Sequence, residues 1–233
     1  MALNKVNNMY DFIGSNTWNP LAGACSHACI YCHVKSQFHR PAIRAKYTGP
    51  PRLHEKAFKS LGKGKLWFVC SQTDLFAYNV PLDDQVTIIN HCIKYPENEY
   101  FFQTKDPQSI SDLIYKDNCQ FPEKTIICTT IETNRGYGIS NAPWTRQRAS
   151  AMMDIPFPKM VTVEPIMDFD IEYMVPLIAR CVPFQVNIGA DSKKNNLPEP
   201  SPEKIRELIK ELEKFTTVKL KSNLKRLLPE VTK

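Results

Sequence analysis

The sequence predicts an α/β fold built on a parallel sheet, and two observations carry the prediction. Short apolar, β-rich runs alternate regularly with amphipathic segments, the pattern of successive βα units. On several predicted strands, residues of one parity are apolar and those of the other polar, as when one face packs against helices and the other lines a cavity.

Taken in order, residues 1–14 show no pattern and read as an N-terminal arm, and 15–233 read as one domain. Ser15 to Leu21 is expected to form a first strand leading into a cysteine-rich loop. His33 to Arg52 is basic and broken, with Lys35, His39, Arg40, Arg44 and Lys46 ahead of the turn residues Gly49-Pro50-Pro51, and reads as a loop or irregular helix. Further strands are expected at Lys65 to Cys70, Tyr100 to Thr104, Thr125 to Ile131, Met160 to Glu164 and Phe184 to Ile188. Helices are expected between them at about 82–94, 107–116, 143–154 and 170–181. The last helix is the clearest. Ser201 caps it, Pro202 takes its first position, and Ile205, Leu208, Ile209 and Leu212 recur at helical spacing. A short strand at Thr217 to Lys221 follows. Counting the first strand gives six βα units, too few for a closed eight-stranded barrel.

With 42% hydrophobic and 23% charged residues among 233, the composition is that of a globular protein with a sizeable core. The net charge of +6 favours a polyanionic partner. Met1 to Tyr10 is polar and lacks the apolar segment of a secretory leader, so the eight cysteines are expected in a reducing, cytoplasmic setting. No apolar run approaches the roughly 20 residues needed to span a bilayer, so no membrane role is expected.

The chemistry concentrates in Cys25-Ser-His-Ala-Cys29-Ile-Tyr-Cys32, three thiols at the spacing C-x3-C-x2-C. Thiolates suit iron-sulfur clusters, and three ligands on a four-iron cubane leave one iron open to a small molecule. The alternative is a zinc or iron-sulfur binding module without catalysis, with His27, His33 or His39 as the fourth ligand.

This motif, with Tyr31 before its last cysteine, resembles the signature of the radical S-adenosylmethionine enzymes. Thr17-Trp-Asn-Pro20, Phe68-Val-Cys-Ser-Gln-Thr-Asp-Leu-Phe76, Phe102-Gln-Thr-Lys105 and Val163-Glu-Pro165 together resemble a phage and bacterial branch distantly similar to spore photoproduct lyase. The resemblance implies a partial (β/α)6 TIM-like barrel, which the six units match. It implies a 4Fe-4S cluster on Cys25, Cys29 and Cys32, and S-adenosylmethionine chelated at the open iron. It further implies an electron donor such as flavodoxin or ferredoxin, and a 5′-deoxyadenosyl radical that abstracts hydrogen from the substrate. With the basic excess, it points to a nucleic acid or nucleotide as substrate.

Parity puts Gln103 and Lys105, Cys128, Thr130 and Glu132, Thr162 and Glu164, Gln185, Asn187 and Asp191, and Lys219 and Lys221 on a polar face. Burying so many polar groups without partners is costly, so this face is expected to line a cavity. Lys105, Glu132, Glu164 and Asp191 fall near the carboxyl ends of their strands, where barrel enzymes assemble active sites. The family's Gly-rich cofactor motif after the second strand reads here Cys70-Ser-Gln-Thr-Asp74, without glycines, so Ser71 and Asp74 are candidate side-chain contacts. By the resemblance, Asn187 and Gly189 face the adenine, Thr130 and Glu132 the ribose hydroxyls, and Glu164 shares that work or meets the substrate. Tyr31 and Lys105 complete the cofactor contacts. Cys128 is the candidate hydrogen donor, its alternative being a small buried hydrophobe.

Overall fold

The structure is a computed structural model that describes residues 16–193 and 195–229. The arm expected over 1–14 lies outside the described residues. Seven parallel strands form one sheet. Strand β1 (Thr17–Trp18) lies at one edge, and β2 (Leu21–Ala22) pairs antiparallel with β3 (Arg52–Leu53) outside the main sheet. Between β2 and β3 lie the cysteine loop and the short helix α1 (Pro41–Lys46). Then follow β4 (Leu66–Val69), α2 (Leu82–Ile93), β5 (Glu99–Thr104), α3 (Pro107–Tyr115), β6 (Thr125–Thr130), α4 (Thr145–Met153), β7 (Lys159–Val163), α5 (Ile171–Arg180), β8 (Gln185–Ile188), α6 (Pro202–Leu212) and β9 (Thr217–Leu220). The spatial order β1-β4-β5-β6-β7-β8-β9 follows the chain, as in a barrel that winds in one direction and stays open.

The expected strand over Ser15 to Leu21 is instead two strands that serve different sheets. Pro20 has no N–H to extend a ladder, and the Oδ1 of Asn19 accepts from Ser71 Oγ at 3.1 Å and the Gln72 N–H at 3.2 Å. The chain therefore leaves the main sheet after Trp18 and turns into the excursion that carries the cysteines. The basic stretch takes the irregular-helix form of its two expected alternatives. A single 3-10 turn at Lys35–Gln37 and α1, with Pro41 in its first turn, lead back to β3.

Strand parity divides the core as the sequence pattern requires. Tyr100, Phe102, Ile127, Val161, Val163, Val186 and Ile188 belong to the main apolar cluster with Ile88, Ile110, Leu113, Met174, Ile178, Ile205, Leu208 and Leu212 of the helices. Burying each of these aliphatic side chains stabilises by about 1.5–3 kcal/mol relative to exposure. The other parity starts with a small apolar cluster of Phe101, Cys128 and Met160. Above that floor the same faces turn polar, with Gln103, Thr130, Thr162 and Asn187, and there the site begins. Helix α6 shows the local logic plainly. The Ser201 Oγ accepts from the Lys204 N–H at 3.3 Å, Pro202 opens the helix, and Ile205, Leu208, Ile209 and Leu212 are buried.

Candidate functional site

The cysteine loop lies over the carboxyl ends of the strands, and backbone contacts fix both of its ends. The Gly23 N–H donates to Lys46 O and the Ala24 N–H to Gly49 O, each at 2.9 Å. Gly23 has φ +95°, and a Cβ there would lie 2.3 Å from Pro50 O, so only glycine fits. Within the loop the Cys32 N–H donates to Cys29 O at 3.2 Å, and Ala28 has φ +49°. On its outer side, Ile30 N–H donates to Ile139 O and Asn141 N–H to His27 O, so the segment after β6 braces the loop.

Two carboxylates, the partly buried Asp74 and the buried Glu132, hold the loop from beneath. Asp74 Oδ2 lies 2.9 Å from His27 Nε2 and also accepts from Thr104 Oγ1 at 3.0 Å and the Lys105 N–H at 2.8 Å. Burial pushes the Asp74 carboxyl up, but His27 and these donors outweigh it and hold the group below the usual carboxylate range. Glu132, 1% exposed, accepts from Tyr31 Oη and Lys105 Nζ on one oxygen and from Arg148 Nη1, at 2.8 Å, on the other. Lys105 Nζ also donates to Tyr31 Oη at 2.5 Å and sits 4.9 Å from the centre of its ring. Burial raises Glu132, yet Lys105, Arg148 and the hydrogen bonds bring it down to about 2.

That depression fixes a pH dependence. A carboxyl at 4.5 when unfolded and about 2 when folded contributes its stability above pH 4.5 and loses it as pH falls through about 2. The shift corresponds to about 3 kcal/mol. Urea midpoints are therefore expected to drop across that acidic window in wild type, and to drop much less in Glu132→Gln.

The cysteine loop and the strand ends border an open cavity of about 630 Å³. Cys25, Cys29 and Cys32 all line it, opposite Gln103, Thr130, Thr162 and Glu164, with His33, Asp191, Ser192 and Lys193 also on its wall. Burial and the nearby Asp74 carboxylate push the Cys25 thiol up to about 12, and burial raises Cys29. Among the described residues, no three His, Cys, Asp or Glu side chains converge closely enough to hold a single metal ion.

The candidate residues fall into two groups. Tyr31, Ser71, Asp74, Lys105, Thr130 and Glu164 line the cavity with the three cysteines. Glu132, Asn187, Gly189 and Cys128 do not. Glu132 is engaged by Tyr31, Lys105 and Arg148. Asn187 is fully buried, its Oδ1 accepting from Gln185 Nε2 at 2.7 Å. Gly189 permits a close approach, but of the Glu164 side chain, whose Cδ would lie 2.8 Å from a Cβ there. Cys128 lies fully buried in the apolar floor with Phe101 and Met160, and burial raises its thiol far above the ordinary range. That is the position of the small buried hydrophobe, below the cavity rather than on its wall.

Some of the lining residues also have polar partners within the protein. Glu164 pairs with Lys221 and accepts from Asn223 Nδ2 at 3.2 Å. Ser71 donates to Asn19, and Asp191 accepts from the backbone of Lys193 and Asn195, closing its own turn. The absent glycines after the second strand have a backbone counterpart. Cys70 adopts φ +56°, the left-handed conformation that glycine takes without strain. Arg148 and the His27–Asp74 pair were not legible in the sequence. Arg148 sits in a segment with no clear apolar stripe, and an arginine on a helix ordinarily faces water.

Fold and cysteine loop define a partial α/β barrel with three cysteines set over the carboxyl ends of its strands. Spore photoproduct lyase complexed with dinucleoside spore photoproduct superposes with TM-score 0.62 at 12% identity, over 86% of this chain and 75% of that one. A cysteine-to-serine mutant of the same enzyme gives TM-score 0.64 at 10% identity, over 94% and 80%. A double mutant with bound AdoMet and dinucleoside spore photoproduct gives 0.61 at 11%, over 87% and 75%. At such identities the likeness is one of fold, and at that level it bears out the resemblance read from the sequence. Residues 12–175 match the family described as "Protein of unknown function (DUF5131)", and the chain belongs to that family. No curated protein matches it in sequence. Among the described residues, no helix is long and apolar enough to cross a membrane.

Proposed function

We propose that this protein is a radical S-adenosylmethionine enzyme, with a 4Fe-4S cluster on Cys25, Cys29 and Cys32 and S-adenosylmethionine in the cavity beside it. The observation that carries the reading is the placement of all three thiols on one braced loop, facing a cavity at the carboxyl ends of a parallel sheet. The residues fit the group. A cubane takes one thiolate per iron, which does not require the thiols to converge on one ion. Ser26 Oγ and His27 Nδ1, between Cys25 and Cys29, are buried with no protein partner, as is Asn187 Nδ2 beneath the cavity. Of these three residues only His27 lines the cavity, and a bound group beside its ring would relieve the cost of that orphaned nitrogen.

When bound and reduced by a carrier of the flavodoxin or ferredoxin kind, the cluster supplies the electron that cleaves the cofactor. The chain's own residues do the holding. Tyr31, clamped between Lys105 and Glu132, and His27, clamped by Asp74, fix the loop that presents the thiols. Thr130, Thr162 and Gln103 offer hydrogen-bonding groups on the opposite wall, and the apolar floor of Phe101, Cys128 and Met160 closes the cavity from below against water.

The test is anaerobic reconstitution with iron and sulfide, reduction in the presence of S-adenosylmethionine, and assay for 5′-deoxyadenosine. The nucleoside is expected from wild type and from His33→Ala, and its loss in a Cys25, Cys29, Cys32 triple alanine variant. A bound zinc ion released by His33→Ala, or a cluster that forms and never cleaves the cofactor, would replace this reading with the binding module.

A further inference from the structure

The segment with the largest excess of positive charge lies beside the cysteine loop. Residues 33–60 hold seven Lys and Arg against the single acid Glu55, a net +6 that equals the +6 of the entire protein, and outside them 23 basic and 23 acidic residues balance. This segment is the strap that runs from the cysteine loop through α1 and β3. Among the described ion pairs, none involves a side chain of the strap, whereas elsewhere Lys63, Lys116, Arg135, Lys204 and Arg226 all meet carboxylates. Lys35, Arg40, Arg44, Arg52, Lys56 and Lys59 are exposed.

The strap is also held in shape. Gly23 and Ala24 bond to its middle, the His54 N–H donates to Pro20 O at 2.6 Å, and β3 pairs with β2. Arg52 donates to the carbonyls of Thr48 at 3.2 Å and Pro50 at 3.3 Å, curling the turn around its guanidinium. At its start stands His33, on the cavity wall with Ser192 and Lys193, so the basic track begins at the cavity itself.

We infer that this strap binds the phosphate backbone of a nucleic acid and delivers one of its nucleotides to the cavity. The inference deepens the enzyme reading by naming its substrate class, and rests on that reading for the delivery step alone. Exposed, unpaired cations strung along some 25 residues match a chain of repeating phosphates, and neutralising phosphates releases counterions, which drives binding. Binding energy gathered there, remote from the reacting atoms, can position a nucleotide at the cavity mouth. A solvated surface carries its cations beside acids, and even in the basic C-terminal stretch Lys214, Lys221 and Arg226 each meet a carboxylate.

The test is fluorescence anisotropy of a labelled single-stranded oligonucleotide, titrated with the purified full chain across a salt series. Binding is expected, with log K falling steeply against log salt. A Lys35, Arg40, Arg44, Lys56 to Gln variant is expected to bind more than tenfold more weakly and to lose about 3 from the slope, at about 0.7 per phosphate contact. A Lys116, Lys124, Lys210, Lys214 to Gln control carries the same change of net charge away from the strap and is expected to bind nearly as wild type. Absence of binding, or equal losses in the two variants, would overturn the inference. So would unchanged oligonucleotide binding in the strap variant together with lost reduction by flavodoxin, which would assign the strap to an acidic protein. Formation of 5′-deoxyadenosine without oligonucleotide, measured on both variants, reports the enzyme reading separately.

Discussion

Glu132→Gln is expected to cost about 3–5 kcal/mol of stability, because it leaves Arg148 and Lys105 without their shared counter-charge. The two cations are not equivalent. Arg148 is 4% exposed, and its guanidinium is otherwise used by the carbonyls of Thr130 and Pro143, so its charge is largely held away from water. Lys105 borders the cavity at 14% exposure and can turn toward solvent. Most of the cost therefore belongs to Arg148, and Glu132→Gln combined with Arg148→Met is expected to recover a large part of what the single change loses. Urea denaturation of wild type, single and double variants measures this. If the double variant is as unstable as the sum of its parts, Glu132 acts by packing rather than charge. Lost Tyr31 anchoring in the single variant should also lower iron retention after reconstitution, since Tyr31 stands immediately before Cys32.

The parts of this fold that are legible in the sequence are those that follow from period-two alternation. Tyr100 and Phe102, Val161 and Val163 face the helices because the pleat sends alternate side chains to opposite sides, and Gln103, Thr130 and Thr162 face the axis for the same reason. Parity assigns a face but not a height or a partner. Cys128 shares its face with Thr130, yet one step down the strand is floor and not wall. Glu132 lies on the polar side as expected, but a carboxylate at a strand end looks the same in sequence whether it meets a ribose or an arginine on the following helix. Gly189 reads as room for a ligand, and the room is taken by Glu164. Pro20 was visible and is what divides the first strand. The use of Asn19 to bridge that break to Ser71 and Gln72, some 50 residues away, depends on tertiary contact and leaves no local pattern.

Gly23→Ala is expected to destabilise the protein by about 3 kcal/mol and to impair cluster incorporation, since two independent penalties meet at this position. Its φ of +95° is a conformation L-residues rarely adopt, and an added Cβ would lie 2.3 Å from Pro50 O and 2.7 Å from Pro51 Cα. Both obstacles are backbone atoms in a turn already fixed by Arg52, so neither can swing aside as a side chain would. Relief requires moving Gly23 away from Lys46 and Thr73, whose Oγ1 donates to Gly23 O at 3.1 Å, and Cys25 lies only two residues further on. Gly64→Ala isolates the conformational term, because Gly64 has φ +63° with nothing within 4 Å of an added Cβ, and a loss of about 1 kcal/mol is expected there. Denaturation of the two variants side by side, with iron content after reconstitution, separates the terms. A Gly23→Ala variant no less stable than Gly64→Ala, and fully loaded with iron, would mean that the strap yields to the cysteine loop. Greater instability with poor loading would mean that the strap is the template against which the three thiols are set.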